Sequence, residues 1–409
     1  MKITKCRNCK HSKLHKLFSL GKLYLTGKFL KKNSSLSSEY LSLVMCRFCD
    51  LVQLDRNFNM KFLYNNDYGY RSGINHTMRD HLKKTAKKLE NIFPIKKNNF
   101  VLDIASNDGT LLNYYNKKMI TVGVDPLIDK FKKKGFYKNI NYKISDFFGS
   151  NTVKKNKIFK NKFKIITALS VFYDLKNPND FLRSVKSILD KEGIFVLEFA
   201  DLYSIFKYKM FDTICHEHLE YYSITVINKM LKENGLRLFD HEFNDINGGS
   251  SVFYICNSNS KYRTKNKKIK KLIFDEKKIG LFEISKFKDF YQNILKDKKR
   301  LLDCLKKIKK KNQTIHGYGA STKGNVLLQF FGIGKNYLDY ISDRNPAKNN
   351  TFTPGTNIKI ISEERSRVLK PNYYLVLPWH FKKEILKREA KIRKSGTKFI
   401  FPLPKLSIN

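Results

Sequence analysis

The sequence predicts an α/β protein in which two units of alternating strands and helices follow a small cysteine-containing unit. Residues 99–115 (NFVLDIASNDGTLLNYY) and 314–328 (TIHGYGASTKGNVLL) each read as a strand, a glycine turn and a helix. Apolar runs alternate with amphipathic segments around both stretches, which is typical of parallel sheets covered by helices. Two C-x-x-C pairs lie within the first 60 residues, ahead of both units.

The length and composition are those of a multidomain globular protein. The chain has 409 residues, of which 41% are hydrophobic, including 32 Phe and 22 Tyr. At roughly 100–200 residues per domain, this length allows two to four domains with cores of their own. We expect three, with boundaries at residues 1–65, 66–260 and 261–409.

The N-terminal cysteines predict a structural zinc site. Cys6 and Cys9 form one pair, and Cys46 and Cys49 form the other after a gap of 36 residues. The segment LVMCRFCDLVQL places the second pair on a predicted hairpin. Four thiolates complete the tetrahedral coordination of Zn²⁺ and leave no position for a reactive water, so the metal should stabilise the fold. The alternative is a set of four buried free thiols.

The elements of the two α/β units can be predicted in order. The first unit should begin with an amphipathic helix at about 80–92, because its apolar residues recur at helical spacing. Its later elements are predicted as follows: strands at the start of 99–115 and at 120–126, a short segment before Asp146, strands at 164–175 and 193–202, and a helix at 181–190. A polar linker is predicted at 257–275 and one long helix at 276–312. The second unit then has strands within 314–328, 337–346, 373–378 and 397–404.

The charge is strongly positive, with 81 Lys and Arg against 36 Asp and Glu, a formal +45. A polyanion such as nucleic acid is one explanation. The basic residues lie mostly in scattered runs such as KNKKIKKL, which favours solvated surfaces in a lysine-rich proteome. An anionic small substrate would benefit in either case, and we expect no nucleic-acid partner.

The sequence also bears on location and assembly. No apolar run reaches the roughly 18 residues of a membrane span, and the N-terminus MKITKCRNCKHSK lacks the apolar region of a secretory signal. We therefore expect a cytoplasmic protein that does not contact membranes, as a monomer or a small homo-oligomer.

The first glycine turn and the acid after the next strand point to S-adenosylmethionine. VLDIASNDGTLL lacks the G-x-G-x-x-G fingerprint of dinucleotide-binding sites. Asp125 ends the next strand, 22 residues after Asp103, where a carboxylate can accept hydrogen bonds from both ribose hydroxyls. A single-glycine turn suits a ligand that has no pyrophosphate. The alternative is that both aspartates are only strand-end caps.

Ordered motifs along nearly the whole chain, from Cys6 to Pro404, carry a resemblance to a known family. They are the two C-x-x-C pairs, YGYRSG, VLDIASNDGTLL, VGVDP, FDTICHEHLEYYS, NGGSSVF, HGYGASTKGN, SDRNPAK and TPGT. The chain resembles the three-domain sugar C-methyltransferases that act on 4-keto deoxysugar nucleotides. This resemblance implies a zinc-binding N-terminal domain, a class I (Rossmann-like) methyltransferase domain and a C-terminal Rossmann-like domain. The nucleotide sugar would bind between the last two.

The resemblance also implies a cofactor site and a base. Asp125 would hold the ribose, His218 would be the general base, and Glu217 would stand beside it. The remaining cofactor contacts implied are Ala105, Ser106, Asn107 and Gly109 at the methionine end, Asp146 and Phe147 at the adenine, and Tyr70 and Ser72 in a segment that folds over the cofactor.

The substrate pocket departs from the family pattern. Cys215 replaces the family's tyrosine before HEH, and Ser170 and Asp174 stand where antibiotic-sugar members have asparagine and histidine. These changes bear on which sugar is used. Asn247, in NGGS, would approach the sugar, the alternative being a simple β-turn. Lys323, with the GYGASTKG turn, would hold phosphate, unless the loop is vestigial.

The stretch FDTICHEHLEYYS allows a second metal site, a packing role or proton transfer, and the resemblance favours proton transfer by His218. Two rival functions remain. One is methyl transfer to oxygen or nitrogen of a related metabolite. The other is nucleic-acid binding by zinc knuckles.

Overall fold

The structure, a computed structural model, describes residues 1–31, 37–65, 68–92 and 96–409. The expected boundary between residues 65 and 66 adjoins the undescribed residues 66–67. The N-terminal unit contains β1 (Leu14–Tyr24), β2 (Ser38–Cys46), β3 (Val52–Leu54) and α1 (Met60–Leu63). β1, β2 and β3 pair antiparallel in that order, which confirms the predicted hairpin around the second cysteine pair.

The central unit is built on a seven-stranded sheet in the order β10-β11-β8-β7-β4-β5-β6. Its elements are α2 (His76–Ile92), β4 (Phe100–Ile104), β5 (Ile120–Val124), α3 (Ile128–Lys132), β6 (Tyr142–Ile144), α4 (Ser150–Lys155), β7 (Phe163–Leu169), α5 (Pro178–Ile188), β8 (Leu189–Phe199), α6 (Leu202–Lys207), β9 (Glu220–Tyr221), α7 (Ile224–Glu233), β10 (Leu236–Asn244) and β11 (Ser250–Asn257). The neighbouring strands among β4 to β8 pair parallel. β11 pairs antiparallel with β8 on one side and with β10 on the other. Strand order reverses between β4 and β7, and ligands of such sheets bind beyond the carboxyl ends of the strands at that point.

The C-terminal unit has a six-stranded sheet in the order β14-β13-β12-β15-β16-β17. Its elements are α8 (Asn266–Lys278), α9 (Ile284–Lys310), β12 (Ile315–Tyr318), α10 (Thr322–Phe331), β13 (Tyr340–Asp343), β14 (Ile360–Ser362), α11 (Glu363–Val368), β15 (Tyr373–Val376), α12 (Lys382–Arg388), α13 (Ala390–Lys394), β16 (Lys398–Phe401) and β17 (Ser407–Ile408). All neighbours pair parallel except β16 and β17. The α/β fold class and both strand–turn–helix units are therefore confirmed, with the exceptions that follow.

Three local predictions were wrong. The segment after the first glycine turn is a single 3-10 turn, Leu112–Tyr114, and not the predicted helix. The predicted linker at 257–275 contains most of α8, whose Glu276 accepts hydrogen bonds from the first backbone amides of α7. The predicted long helix is interrupted at Gly280, whose φ of +71° is the left-handed conformation that ends helices.

β9 joins the sheet of the N-terminal unit although it lies in the middle of the chain. It pairs antiparallel with β3, with Gln53 opposite Glu220, and Leu54 N donates to Leu219 O over 2.8 Å. β9 begins two residues after His218. The HEH segment is thus anchored to the cysteine-containing unit.

A hydrophobic cluster joins the N-terminal and C-terminal units. It contains Leu20 and Leu41 from the N-terminal sheet, Leu328 and Phe331 from α10, and Phe211 from the approach to HEH. Each of these side chains is almost fully buried, so the units are packed into one another around the candidate site. Every helix in the described ranges is too short or too polar to span a bilayer.

Candidate active site and zinc centre

A cavity of about 490 Å³ lies at the carboxyl ends of the central parallel strands. Its lining includes these predicted cofactor and substrate residues: Tyr70, Ser72, Ala105, Asn107, Asp125, Asp146, Phe147, Ser170 and Asp174. Ser106 and Gly109 lie behind the loop and do not line the cavity. Ser106 Oγ is 2.7 Å from the Tyr137 hydroxyl, and Gly109 packs against Ile140. Both residues hold the loop in place through contacts on the side away from the cavity.

Asp125 suits the ribose of the cofactor. Its Oδ2 accepts a hydrogen bond from Asn107 N over 3.0 Å, and its Oδ1 accepts one from Leu127 N over 2.7 Å. Each carboxylate oxygen retains a second lone pair, so the pair can accept two further bonds from vicinal hydroxyls. Burial raises the pKa of Asp125 to about 6, although the two backbone amides oppose the shift.

Asp103, the other aspartate of the pattern, has a structural role. Thr167 Oγ1 donates to its Oδ1 over 2.6 Å inside the sheet. Burial raises the pKa of Asp103 to about 7. The cap interpretation therefore describes Asp103, whereas Asp125 faces the cavity.

The YGYRSG segment is tied to the glycine loop. Ser72 N donates to Asn107 Oδ1 over 2.9 Å, and Gly73 N donates to Asp108 Oδ2 over 3.0 Å. Tyr70 is 47% exposed because its ring lines this cavity and a second one on its other side. The segment therefore forms a wall that covers the loop.

The opposite end of the cavity has an aromatic surface beside a fixed carboxylate. Asp146 Oδ2 accepts a hydrogen bond from Thr152 Oγ1 over 2.9 Å, and its Oδ1 accepts one from Phe147 N over 2.7 Å. The Phe147 side chain is 37% exposed. A planar purine has a ring to lie against here and an anchored acceptor beside it.

The HEH segment is an irregular loop, so His216 and His218 do not share a strand face. His218 Nδ1 donates to Thr213 O over 2.7 Å, which leaves the lone pair of the neutral ring on Nε2. Its ring is 4.1 Å from that of Tyr173. Burial, with a smaller contribution from the charge of Lys323, lowers the pKa of His218 to about 3, against the opposing effect of the hydrogen bond to Thr213 O. The ring is a neutral acceptor at physiological pH.

His216 has a packing role. Its side chain is fully buried, and its ring meets Phe58 edge-on at 5.0 Å. Burial lowers the pKa of His216 to about 4. Within the described ranges, the four N-terminal cysteines form the one cluster suited to a metal, so nothing supports a second ion at HEH.

Glu217, Cys215 and Asp174 form a buried acidic group where the three units meet. Tyr64 OH donates to Asp174 Oδ2 over 2.6 Å. Burial raises the pKa of Asp174 and of Glu217. The nearby Glu217 carboxyl group raises the pKa of Asp174 further. Cys215 is fully buried, and burial raises its pKa as well. The replaced family tyrosine thus leaves an uncharged thiol beside two carboxyl groups.

Lys323 and Asn247 connect the C-terminal unit to the cofactor cavity. Lys323 Nζ donates to Asn247 O over 2.7 Å, and Asn247 Nδ2 donates to Ser170 Oγ over 3.3 Å. Ser170 lines the cofactor cavity. The NGGS turn also packs tightly, because a Cβ at Gly248 would lie 3.0 Å from the Trp379 ring.

A second cavity of about 210 Å³ lies between the C-terminal sheet and the YGYRSG segment. The glycine turn lines it at residues 319–322, but Lys323 does not, since its ammonium points away towards Asn247. Four cationic residues line the cavity: Arg71, Arg344, Lys348 and Arg388.

Sequence reasoning missed several residues of the cofactor cavity. Tyr64 and Tyr68 line it, and Tyr68 also lines the second cavity. His81 on α2 and Glu198 at the end of β8 line it as a pair, with His81 Nε2 2.9 Å from Glu198 Oε2. The tyrosine spacing in YNNDYGY is a signal for the first two. Nothing local marks His81 and Glu198, which are 117 residues apart.

The N-terminal cysteines fit a zinc ion. The four Sγ atoms lie within 4.8 Å of one another, with Cys6 to Cys49 at 3.6 Å and Cys9 to Cys46 at 3.5 Å. Zn–S bonds of about 2.3 Å in a tetrahedron require sulfur separations of about 3.8 Å. Gln53 Nε2 donates to Cys6 Sγ over 3.2 Å, as groups outside a metal's direct ligands commonly do.

Comparisons with known proteins cover the chain in three parts. Residues 6–64 match a zinc-binding domain family, residues 70–241 match a methyltransferase domain family, and residues 245–404 match the C-methyltransferase C-terminal domain family. The C-methyltransferase NovU of Streptomyces niveus is 25% identical over 98% of this chain and 96% of its own length.

Two solved methyltransferase structures are similar to part of the chain. The plantazolicin methyltransferase BpumL, in complex with a pentazolic desmethylPZN analog and SAH, matches with a TM-score of 0.36 and 14% identity over 45% of this chain and 86% of its own. An S-adenosylmethionine-dependent methyltransferase from Clostridium acetobutylicum matches with a TM-score of 0.32 and 14% identity over 44% of this chain and 90% of its own.

The four-cysteine cluster lies within the part that matches the zinc-binding domain family, and the 490 Å³ cavity is lined mainly by residues of the part that matches the methyltransferase domain family. The chain is therefore an S-adenosylmethionine-dependent methyltransferase that carries a zinc-binding domain match before its methyltransferase domain and a C-methyltransferase C-terminal domain match after it.

Proposed function

We propose that the protein methylates a carbon next to the ketone of a nucleotide-activated deoxysugar, with His218 as the base. The observation that carries this proposal is the imidazole itself. It is neutral, its tautomer is fixed by Thr213 O, and its Nε2 has no hydrogen-bond partner among the described residues. Methylation of carbon needs a base for the α-proton, because a C–H bond is not itself a nucleophile.

Different residues bind the cofactor and remove the proton. Asp125, Asn107 and Asp146 hold the cofactor, which supplies an electrophilic methyl group on sulfonium. His218 Nε2 takes the α-proton of the sugar, and the electron pair moves to the carbonyl oxygen as an enolate. The cavity walls exclude water, and the α-carbon would then form its bond to the methyl group as the methyl–sulfur bond breaks, which leaves S-adenosylhomocysteine. Water removes the proton from His218 after product release.

The second cavity offers a place for the nucleotide. Arg344 and Arg388 line it near the glycine turn, and guanidinium groups suit the fork of a diphosphate. Each is paired with a carboxylate of the same cavity, Glu384 and Glu363 respectively, which a diphosphate would have to displace or share. Tyr68 and Tyr70 line both cavities, so a sugar at this wall would be near the cofactor while its nucleotide reached outward. Glu217, Cys215, Ser170 and Asp174 are proposed as its surroundings. Burial raises the pKa of the Glu217 and Asp174 carboxyl groups, which favours their protonated, hydrogen-bond-donating forms.

The test uses the purified protein with labelled S-adenosylmethionine and a panel of 4-keto nucleotide sugars. We expect the label on a sugar carbon, with deuterium exchange from D₂O at the same carbon. Product NMR separates a C-methyl from an O-methyl or N-methyl group. Transfer to oxygen or nitrogen without exchange at any sugar carbon would overturn the proposal in favour of the rival methyltransferase activities.

A further inference from the structure

We propose that the second cavity binds the ribose of the substrate's nucleotide through Asp343, so that this nucleotide is a ribonucleoside diphosphate and not a 2′-deoxy one. Asp343 lines the cavity at the carboxyl end of β13. The inference rests on the proposed function, because it names the class of nucleotide to which the sugar is attached. It comes from an arrangement of backbone and carboxylate that occurs twice in the chain.

The backbone after β12 repeats that of the cofactor loop after β4. In the central unit, Ala105 directly follows β4, has a φ of +58° and donates its N–H to Val124 O over 2.8 Å. In the C-terminal unit, Gly319 directly follows β12, has a φ of +81° and donates its N–H to Ser342 O over 2.7 Å. Val124 and Ser342 each immediately precede an aspartate at the end of the neighbouring parallel strand. The two turns therefore place an aspartate at the same point beside the loop.

The two carboxylates are also held in the same way. Asp125 accepts one hydrogen bond from an amide of the loop and one from the amide two residues after itself. Asp343 does likewise, since its Oδ2 accepts from Ala320 N over 2.7 Å and its Oδ1 accepts from Asn345 N over 2.8 Å. A carboxylate oxygen has capacity for a second bond, so each aspartate can accept two more from a ligand in the cavity that it lines. Vicinal hydroxyl groups match such a pair of acceptors, as they do at the strand-end acids of nucleotide-binding α/β units.

The cations of the second cavity leave this capacity open. Lys348 Nζ donates to Ala320 O over 2.6 Å and lies 3.7 Å from Asp343 Oδ2, which is beyond hydrogen-bond distance. Arg344 and Arg388 form their ion pairs with glutamates of the cavity and not with Asp343. Among the described residues, the Asp343 oxygens therefore have one backbone amide each and a lysine charge nearby.

The turn that carries Asp343 contacts the wall shared by the two cavities. Asn345 Nδ2 donates to Gly69 O over 3.2 Å. Gly69 lies between Tyr68 and Tyr70, which line both cavities. A ribose at Asp343 would thus be separated from the cofactor cavity by this one segment, and the diphosphate-linked sugar would have to reach past it.

The first experiment uses the wild-type protein and changes the ligand. Calorimetry measures the affinities of ADP, GDP, CDP and UDP, of their 2′-deoxy counterparts and of thymidine diphosphate. Saturating S-adenosylhomocysteine fills the first cavity, so that the nucleotides cannot occupy the site of Asp125. A 2′-deoxyribose leaves one carboxylate oxygen without its hydroxyl partner. We expect the tightest ligand to be a ribonucleotide that binds about 10–150-fold more tightly than its 2′-deoxy form, as for one hydrogen bond to a charged group.

The second experiment assigns this preference to Asp343. Asp343→Asn should bind the ribonucleotide and its 2′-deoxy form with affinities within about threefold of each other. Asp339→Asn is the matched control, because Asp339 precedes the same strand, accepts a backbone hydrogen bond from Ile315 N over 3.1 Å and lies 3.4 Å from a lysine ammonium, yet does not line the second cavity. The control should keep the wild-type preference. Thermal stability and affinity for S-adenosylhomocysteine check the folding of both variants.

The outcomes separate this inference from the proposed function. A deoxynucleotide that binds wild-type protein as tightly as the best ribonucleotide, or a ribose preference that survives in Asp343→Asn, would overturn the role of Asp343. Absence of measurable binding by every nucleotide would overturn it as well. C-methylation of a 4-keto nucleotide sugar would leave the proposed function standing in each of these cases. A ribose preference that depends on Asp343, in a protein that methylates no such sugar, would instead reject the proposed chemistry and retain the ribose site.

Discussion

Replacing Arg7 should loosen the segment that carries His218, although Arg7 lies more than 200 residues away in the chain. Arg7 is 4% exposed, and its guanidinium donates to Leu54 O, Arg56 O and the side chains of Gln53 and Asn57. Its Nε is 3.5 Å from Glu220 Oε1, inside the β3–β9 pair.

The magnitude follows from the burial of both partners. Burial raises the pKa of Glu220 and the charge of Arg7 opposes that shift, so loss of Arg7 would leave the Glu220 carboxyl buried without its cation. Removing one member of a fully buried ion pair typically costs about 3–5 kcal/mol, and protonation of Glu220 would place the cost at the lower end. Arg7→Met should therefore lower the free energy of opening of the β3–β9 pair by about this amount. That corresponds to about 10²–10⁴-fold faster exchange of its amides when opening limits protection.

The chain offers a matched control. Arg47 occupies the same position in the second C-x-x-C pair but is exposed, so Arg47→Met should change stability by no more than about 0.5 kcal/mol. The assay is hydrogen–deuterium exchange by mass spectrometry on peptides that cover residues 50–57 and 214–222. Adding Glu220→Met to Arg7→Met should recover part of the loss, because an apolar pair can replace a buried ion pair.

Equal protection in Arg7→Met and Arg47→Met would refute the reasoning. It would mean that the ion pair does not hold β9 against the cysteine-containing unit.

Three further predictions concern the cofactor, pH and zinc. Asp125→Asn should weaken S-adenosylhomocysteine binding about 10–150-fold by calorimetry, since a hydrogen bond to a charged group contributes about 1.5–3 kcal/mol; the exposed Asp129→Asn should bind normally, and equal affinities would contradict the ribose assignment. Burial raises the pKa of Asp125 to about 6, so affinity should fall as pH drops through that value and the carboxylate protonates. With saturating cofactor, α-proton exchange should show no acid limb near pH 6.5, because burial lowers the pKa of His218 to about 3; an acid limb near 6.5 in the wild-type protein would contradict this. Chelating zinc, or Cys49→Ser, should lower amide protection of residues 219–221 more than that of β4 and β5, and uniform loss across the chain would refute the local anchoring.

The parts of the fold that could be predicted are those with a local sequence pattern. The zinc ligands, the parallel strands and Asp125 are each marked by spacing or by an apolar run with a polar residue at its end. β9 has only two residues and no pattern, and its partner lies about 170 positions earlier, so its pairing could not be read locally. α8 looked like a linker because its sequence is basic, whereas its stability comes from Glu276 capping α7.

The direction in which the Lys323 side chain points could likewise not be predicted from the sequence. GYGASTKG predicted the turn correctly, yet Lys323 turns away from the cavity that the turn lines because Asn247 O, from a separate unit, accepts its proton. The neutral state of His218 also depends on its burial in the tertiary structure. Tertiary packing decides both, and no window of sequence contains it.

The exchange of a sugar proton in His218→Asn tests the central claim most directly. Asparagine keeps a polar side chain there but cannot act as a base. With wild-type affinity for S-adenosylhomocysteine as the control, we expect α-deuterium exchange and C-methylation both to fall at least about 10²-fold, the usual contribution of a general base. Exchange and methylation at wild-type rates in this variant would show that another group removes the proton.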